Sequence, residues 1–468
     1  MITKTKILLV LPRGEAIRNF IWSGTSDHLR KSCEVYILSV VPNKQIEQIL
    51  KSKSDGFYEI HGKDDVKVLG YVRDWLDVVH GRWLWSGAAK HRWKLRDFEA
   101  STITQKIKRW VKKNSALPFS NRTGLQVLSS VENVLSEKLF PSKPYLQLLK
   151  DIDPDLVFNG SHIHSRNSVP VMHAARKLGI TTATFLFSWD NLTSQGRIMP
   201  YYDHYLVWND QIANDLLKIY GSVRRQQVHI TGTPQFDFHF QKDKLWSREE
   251  YCKKVGVDPQ RPIVLYTTGM ANAYPGEDVT VEGIADMLLE YPIEKRPQLV
   301  VRVYPKDNTN RFVPLRNRRP DISFPDIPWE VNWLTPLMED LELWTNMLQH
   351  CEVGINIAST VSLELCMFNK PVINVSYNPR GMDIYPADFT MYYDWDHYKP
   401  IVDSKALYIA TSEEQMAEYI KLALNDPDDR KIERENLINN FFGDTLDGKA
   451  FLRIAEVLKE LAEKNKPN

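Results

Sequence analysis

The sequence predicts two α/β domains, each a doubly wound parallel sheet. Three observations carry the prediction. Short β-rich apolar runs alternate with helical stretches from the N-terminus to about residue 230. After a polar interval, Gln241 to Gln260, the same alternation restarts at residue 262. The chain has 468 residues, which suits two large domains at roughly 100–200 residues each.

The elements follow in order. Ile7 to Leu11 is an uninterrupted apolar run, as expected of a strand buried on both faces, and it breaks at Pro12-Arg13-Gly14 before a helical stretch. Further strands are expected at Val35–Val41, Leu156–Asn159, Thr181–Phe187, His204–Val207 and Val228–Ile230, with helices at Ser168–Leu178 and Asp210–Ile219 among them. The second series has strands at Pro262–Thr268, Leu299–Val303, Val353–Asn356 and Pro371–Val375. Gly448 to Lys464 spaces Phe451, Ile454, Ala455, Leu458 and Leu461 along one helical face, so it reads as a closing amphipathic helix. The expected boundaries are 1–235, 236–445 and 446–468.

Composition excludes several classes. Charged residues make up 25% and hydrophobic ones 43%, the balance of a folded globular chain. Lys plus Arg is 60 against 59 for Asp plus Glu, so at +1 no global field draws the molecule to nucleic acid. The four cysteines, Cys33, Cys252, Cys351 and Cys366, form no close pair, which argues against a zinc knuckle or redox motif. The first apolar run is too short for a signal peptide, and no segment approaches the roughly 18 apolar residues of a membrane span. The expected location is cytoplasmic.

Between about residues 72 and 145 the α/β rhythm gives way to a helical insert. From His80 to Lys113 there are ten Lys or Arg against two acids, a local +8, with Trp83, Trp85, Trp93 and Trp110 among them. Arg92, Trp93, Lys94, Arg96, Lys108, Arg109 and Trp110 form a candidate surface for an anionic membrane at the inner face of the cell, or for the acceptor. A solvated helix pair whose tryptophans pack down onto the domain fits the same composition. Single-stranded nucleic acid would need similar chemistry, but no recognition fold accompanies it here.

The most informative stretch runs from Cys351 to Pro379. A strand leads through Ala358-Ser359-Thr360 into a helix from Val361 to about Phe368, placing Ser359 and Thr360 where free N–H groups bind phosphate. A plain helix cap explains the two residues as well. Glu364, one turn inside, is placed to reach ribose hydroxyls, and Gly269, after the strand Pro262–Thr268, allows close backbone approach. No Walker loop, GxGxxG, HExxH or GxSxG element is present, and Asp394-Trp395-Asp396 is one of several chance Asp-x-Asp spacings.

Together with Ile230–Phe238 (ITGTPQFDF), Phe185–Gly196 (FLFSWDNLTSQG), Tyr205–Gln211, Val301–Asp307 and Asp444–Ala450, the IASTVSLEL segment resembles the GT-B glycosyltransferase superfamily, over most of the chain except the insert. Within it the chain is similar to bacterial surface-polysaccharide and CDP-glycerol glycerophosphotransferase-like enzymes. The resemblance implies two Rossmann-like domains facing across a cleft and a nucleotide-sugar donor as substrate, with no cofactor or metal. It implies a glycan or lipid-linked acceptor and donor contacts from Ser359, Thr360, Ser362, Glu364, Gly269, Arg302 and Lys306. Where retaining members have a first glutamate this chain has Asn356, which leans toward inversion; Tyr304 stands where relatives often have His. Inversion needs a base at the strand ends of the first domain, for which Glu15, Asp190 and His162 are the candidates. Arg13, Gly14, His164, Trp189 and Asn191 are assigned to the acceptor side. Alternatives are a polyol phosphotransferase, a UDP-sugar 2-epimerase and a non-catalytic scaffold of the same fold.

Overall fold

A computed structural model of the chain describes residues 4–60, 66–139, 142–163 and 166–464. They divide into two units. The first comprises the chain up to Phe240, the segment Glu330–Pro336 and the stretch from Asp444 onward; the second comprises Gln241–Trp329 and Leu337–Gly443.

In the first unit, β1 (Thr5–Leu11), β2 (Cys33–Ser39), β3 (Gly56–Glu59), β4 (Leu156–Asn159), β5 (Thr181–Phe185), β6 (His204–Val207) and β7 (Val228–Ile230) form one parallel sheet in the order β3-β2-β1-β4-β5-β6-β7. Ile7 pairs with Val35 on one side and Leu156 on the other, and Ile7 to Leu11 are fully buried, because helices cover both faces of a parallel sheet. β4, β6 and β7 have the expected bounds. β3 was not expected: as an edge strand it is only partly buried, so Gly-Phe-Tyr-Glu lacks an apolar run.

The C-terminal helix, Ala450–Glu463, belongs to this unit and is not a separate closing piece; Ile454, Leu458 and Leu461 are buried. The division falls between Phe240 and Gln241, later than the expected residue 235, because Asp237 accepts hydrogen bonds from Ala450 N (3.1 Å) and Phe451 N (2.8 Å) at the start of that helix. Burial pushes the Asp237 carboxyl up to about 7. An acid raised above its ordinary 3.8 holds its proton more tightly in the folded chain, so its contribution to stability is lost as pH rises from about 4 to about 7. Asp237→Asn is expected to flatten the decline in Tm between these values, and an unchanged slope in a pH series of thermal melts would rule this titration out.

In the second unit, β8 (Ile263–Thr267), β9 (Gln298–Arg302) and β10 (Ile322–Ser323) are followed by β13 (Val353–Asn356), β14 (Val372–Val375) and β15 (Tyr408–Ala410); between β10 and β13 the chain forms a two-stranded ribbon, β11 (Trp329–Glu330) with β12 (Thr335–Pro336), whose Glu330–Pro336 part belongs to the first unit. The parallel sheet has the order β10-β9-β8-β13-β14-β15. Its edge strands, β10 and β15, are two and three residues long, too short to leave a sequence pattern.

Among the described residues, five α-helices run between β3 and β4, Lys67–Leu84, Gly87–Glu99, Ile103–Ala116, Arg122–Leu139 and Lys143–Ile152, a wider insert than 72–145. Leu76, Val79, Ala116, Leu125 and Leu128 form a small core with Trp75, Trp83 and Trp93 against it. Four residues of the expected basic surface, Arg92, Trp93, Arg96 and Arg109, are engaged internally. Arg109 and Lys113 lie 4.7 and 5.0 Å from the Trp93 ring and are bound by Asp97 at 2.8 and 2.7 Å. Arg96 and Arg92 lie 3.0 and 3.8 Å from Asp77. These acids are few in the sequence but sit where the helices bring the cations together. Lys94, Lys108 and Trp110 are exposed. Among the described residues, no helix is long and apolar enough to cross a membrane.

Candidate active site

In a doubly wound sheet the chain leaves neighbouring strands in opposite directions where strand order reverses, which opens a crevice at their C-terminal ends. That point lies between β1 and β4 in the first unit and between β8 and β13 in the second. The sequence-predicted residues follow the ends of these and adjoining strands: Arg13, Gly14 and Glu15 after β1, His162 after β4, Trp189 to Asn191 after β5, Gly269 after β8, Arg302 at the end of β9 with Lys306 beyond it, and Ser359 and Thr360 after β13.

In the first unit, β1 leads into a short helix, Gly14–Ile17, continued by a π-helical turn, Arg18–Trp22, a distortion frequent at functional sites. Glu15 is buried, and both its carboxylate oxygens accept from Arg13, at 3.0 and 3.1 Å. It is therefore the anchor of Arg13, a poorer candidate for the base than expected. A Cβ on Gly14 would lie 2.4 Å from Thr335 Cα, so this glycine serves the close approach of the Glu330–Pro336 segment. His162 is buried, with Nδ1 3.2 Å from Phe185 O and 3.3 Å from Phe187 N. Asp190 is half-buried and accepts from Ser194 Oγ at 2.5 Å, while Asn191 Oδ1 accepts from Ser188 N at 2.9 Å, so the Ser188–Asn191 turn is braced by its own side chains. Trp189 is buried. His164 lies outside the described residues.

In the second unit, Gly269 N–H donates to the fully buried Glu277 at 3.0 Å, and a Cβ on Gly269 would lie 2.0 Å from the Tyr274 ring. That N–H is committed to protein, contrary to the expected donor contact. Glu277 also accepts from Tyr266 (3.1 Å) and Arg311 (2.8 Å); burial, the dominant influence, pushes it up to about 7. After β13 the chain passes through Ala358, at φ 35, to Ser359, Thr360 and the helix Val361–Met367. Ser359 and Thr360 are half-buried, and Ser359 Oγ accepts from Val361 N at 3.3 Å. Ser362 faces inward instead: its hydroxyl lies 2.9 Å from Asn356 Oδ1, 3.1 Å from Asn374 Nδ2 and 2.8 Å from Tyr398 OH, and the residue is fully buried. Ser362 thus supports the turn from beneath, because helical spacing points it at β13 and β14.

Glu364 stands differently. It is 9% exposed, and its Oε2 accepts from Trp344 Nε1 at 2.7 Å. The Trp344 ring lies 4.9 Å from the Arg302 guanidinium, which is held by the buried Asp340 at 2.8 and 3.0 Å. Arg302 is therefore an internal ion-pair partner, and its expected direct phosphate contact gives way to a positioning one. Lys306 is half-buried, with Nζ 5.8 Å from the Tyr304 ring. Trp344, Asp340, Glu277 and Arg311 were not found by sequence reasoning. Asp340 and Trp344 lie four residues apart on the helix Met338–His350, and that spacing is their one local signal.

No protein-family model matches the sequence, and no curated protein matches it. Solved structures do match over nearly the whole chain. A UDP-N-acetylglucosamine 2-epimerase shares 15% identity, covering 100% of this chain and 99% of the other, with a TM-score of 0.54. The UDP-GlcNAc 2-epimerase of Neisseria meningitidis, bound to UDP-GlcNAc, shares 14% over 97% of this chain and 100% of its own, with a TM-score of 0.54. That of Methanocaldococcus jannaschii shares 13% over 98% and 100%, at 0.53. The strand orders and these likenesses together establish that the chain has the GT-B fold of two Rossmann-like α/β units.

Proposed function

We propose that the chain is a nucleotide-sugar-dependent glycosyltransferase, inverting and metal-independent, that acts on a glycan or lipid-linked acceptor in bacterial surface-polysaccharide assembly. The observation that supports it most is Glu364, in the first turn of the helix after β13, held by the Trp344 indole over Arg302 and Asp340. A carboxylate with a fixed orientation suits the two vicinal hydroxyls of a ribose, and the Ser359–Thr360 turn beside it suits the diphosphate. In the transfer step the acceptor oxygen attacks the anomeric carbon, its proton passes to a first-unit base, and the nucleoside diphosphate departs with the bonding electron pair. Asp190 fits the base best of the three candidates, since Glu15 is tied to Arg13 and the His162 ring is held between backbone groups.

A second reading, a UDP-sugar 2-epimerase, is favoured by the solved structures of similar fold, one of them bound to UDP-GlcNAc. Proton NMR of the chain with UDP-GlcNAc and other nucleotide sugars separates the two. Nucleotide release that requires an added acceptor supports transfer, whereas interconversion at C2 of the donor alone supports epimerisation. Binding without either reaction overturns both in favour of a scaffold. For the donor site itself, Glu364→Ala is expected to weaken nucleotide binding about 10- to 100-fold, the worth of hydrogen bonds to a charged group at about 1.5–3 kcal/mol. Titration calorimetry with UDP checks this, and unchanged affinity removes Glu364 from the site.

A further inference from the structure

The Ile103–Ala116 helix has its amphipathicity reversed. At 100° per residue, Ile103, Ile107, Trp110 and Val111 fall within an arc of about 100°. On a helix of a globular protein such a stripe faces the core. Here these residues are 78, 56, 65 and 51% exposed. The opposite face carries Arg109, Lys112 and Lys113, which turn toward the protein to Asp97, Asp74 and the Trp93 ring, with Ala116 buried beside them. Leu117 continues the apolar stripe at 46% exposed, and Phe98, on the preceding helix, is 58% exposed. Half of the large apolar side chains exposed among the described residues lie in this insert. An apolar stripe of this kind in water marks a surface that a protein partner or a membrane covers.

Charge selects the occupant. The helix has five Lys or Arg and no acid, and Lys106 and Lys108 are exposed at the two margins of the stripe. A second copy of this chain would set one such helix against another of like charge. A bilayer with anionic headgroups complements both features: the chains receive Ile103, Ile107 and Val111, the indole of Trp110 settles at the headgroup boundary, and the lysines reach phosphates. At 14 residues the helix is about 21 Å long, enough to lie flat in the interface and too short to span it. We propose that the Ile103–Ala116 helix is an in-plane membrane anchor of the first unit for anionic lipid surfaces. This differs from the surface expected from composition, since Arg92 and Arg96 are turned to Asp77, Arg109 packs inward on Trp93 and Asp97, and only Lys108 and Trp110 of the expected residues belong to the helix's outer face.

The test is flotation of the full chain with vesicles of phosphatidylcholine alone and of phosphatidylcholine with phosphatidylglycerol. The chain is expected to float with the anionic vesicles and to be released by high salt. Ile107→Ser with Trp110→Ser should lower the partition at least about tenfold, since insertion scales with buried apolar area. Lys106→Gln with Lys108→Gln should lower it about fivefold or more on anionic vesicles and little on neutral ones. All four positions are exposed, so circular dichroism should be unchanged. Flotation equal to that of the parent chain for both pairs of variants overturns the proposal. So does a parent chain that fails to float and is a dimer by light scattering, if the serine variants make it monomeric, since the face then belongs to a second copy.

Discussion

Asp340→Ala is expected to destabilise the second unit by about 3–5 kcal/mol, the cost of leaving a buried charge without its partner. Asp340 is 2% exposed and the Arg302 side chain is 11% exposed, and the two meet at 2.8 and 3.0 Å in a forked contact. Trp329 Nε1 also donates to Asp340, so the substitution orphans two donors. A loosened Arg302 no longer supports Trp344 from its ring face, and Trp344 in turn no longer orients Glu364. Nucleotide affinity is therefore expected to fall together with stability. Arg302→Met with Asp340→Leu removes both charges at similar volume and is expected to recover most of the stability, because hydrophobic replacement of a buried ion pair is often neutral. Affinity should stay low in this double variant, since the cation beneath Trp344 is gone. Denaturant unfolding and UDP calorimetry measure the two effects. A loss under about 1 kcal/mol for Asp340→Ala would mean that the pair is solvated.

Asp190→Asn is expected to lower turnover by about 10²- to 10⁴-fold, the usual worth of a general base, while leaving nucleotide affinity unchanged. The amide keeps the shape and can still meet Ser194 and Asn191, so the Ser188–Asn191 turn should hold. Glu15→Gln should act through stability instead. Arg13 loses its charged partner in a buried setting, and the loss appears in the unfolding transition of the first unit. His162→Gln is expected to affect rate less than Asp190→Asn, because its Nδ1 is already engaged with the backbone after β5. Saturating-donor kinetics distinguish the three, and an undiminished kcat in Asp190→Asn would take Asp190 out of the reaction.

Much of the fold was legible because parallel strands buried on both faces leave continuous apolar runs. β4, β6, β7 and β13 begin and end where the runs do, whereas β3, β10 and β15 are edge or very short strands with no such signature. The candidate site was legible to the extent that its residues sit after strand ends. Ser359 and Thr360 stand at a strand-to-helix turn that can be recognised from spacing, with Glu364 one turn into the helix, and Arg13, His162 and Asp190 follow strand ends. Whether a side chain on such a loop is available was not legible. Glu15 and Arg13 neutralise each other, Ser362 turns toward Asn356, and the Gly269 N–H is taken by Glu277.

Local order along the chain was enough to establish two doubly wound units, the loops that follow their strands, and a basic, tryptophan-rich insert between β3 and β4. Apolar periodicity and strand-to-helix turns are properties of consecutive residues, so they survive in the linear text. Contacts between distant residues do not. Trp344 reaches Glu364 from another helix, Asp340 claims Arg302 from 38 residues away, and Asp97 draws Arg109 and Lys113 inward so that Ile103, Ile107 and Trp110 are left facing out. Packing chose which charges are paired and which faces are bare, because an ion pair forms only where folding brings its two partners within reach.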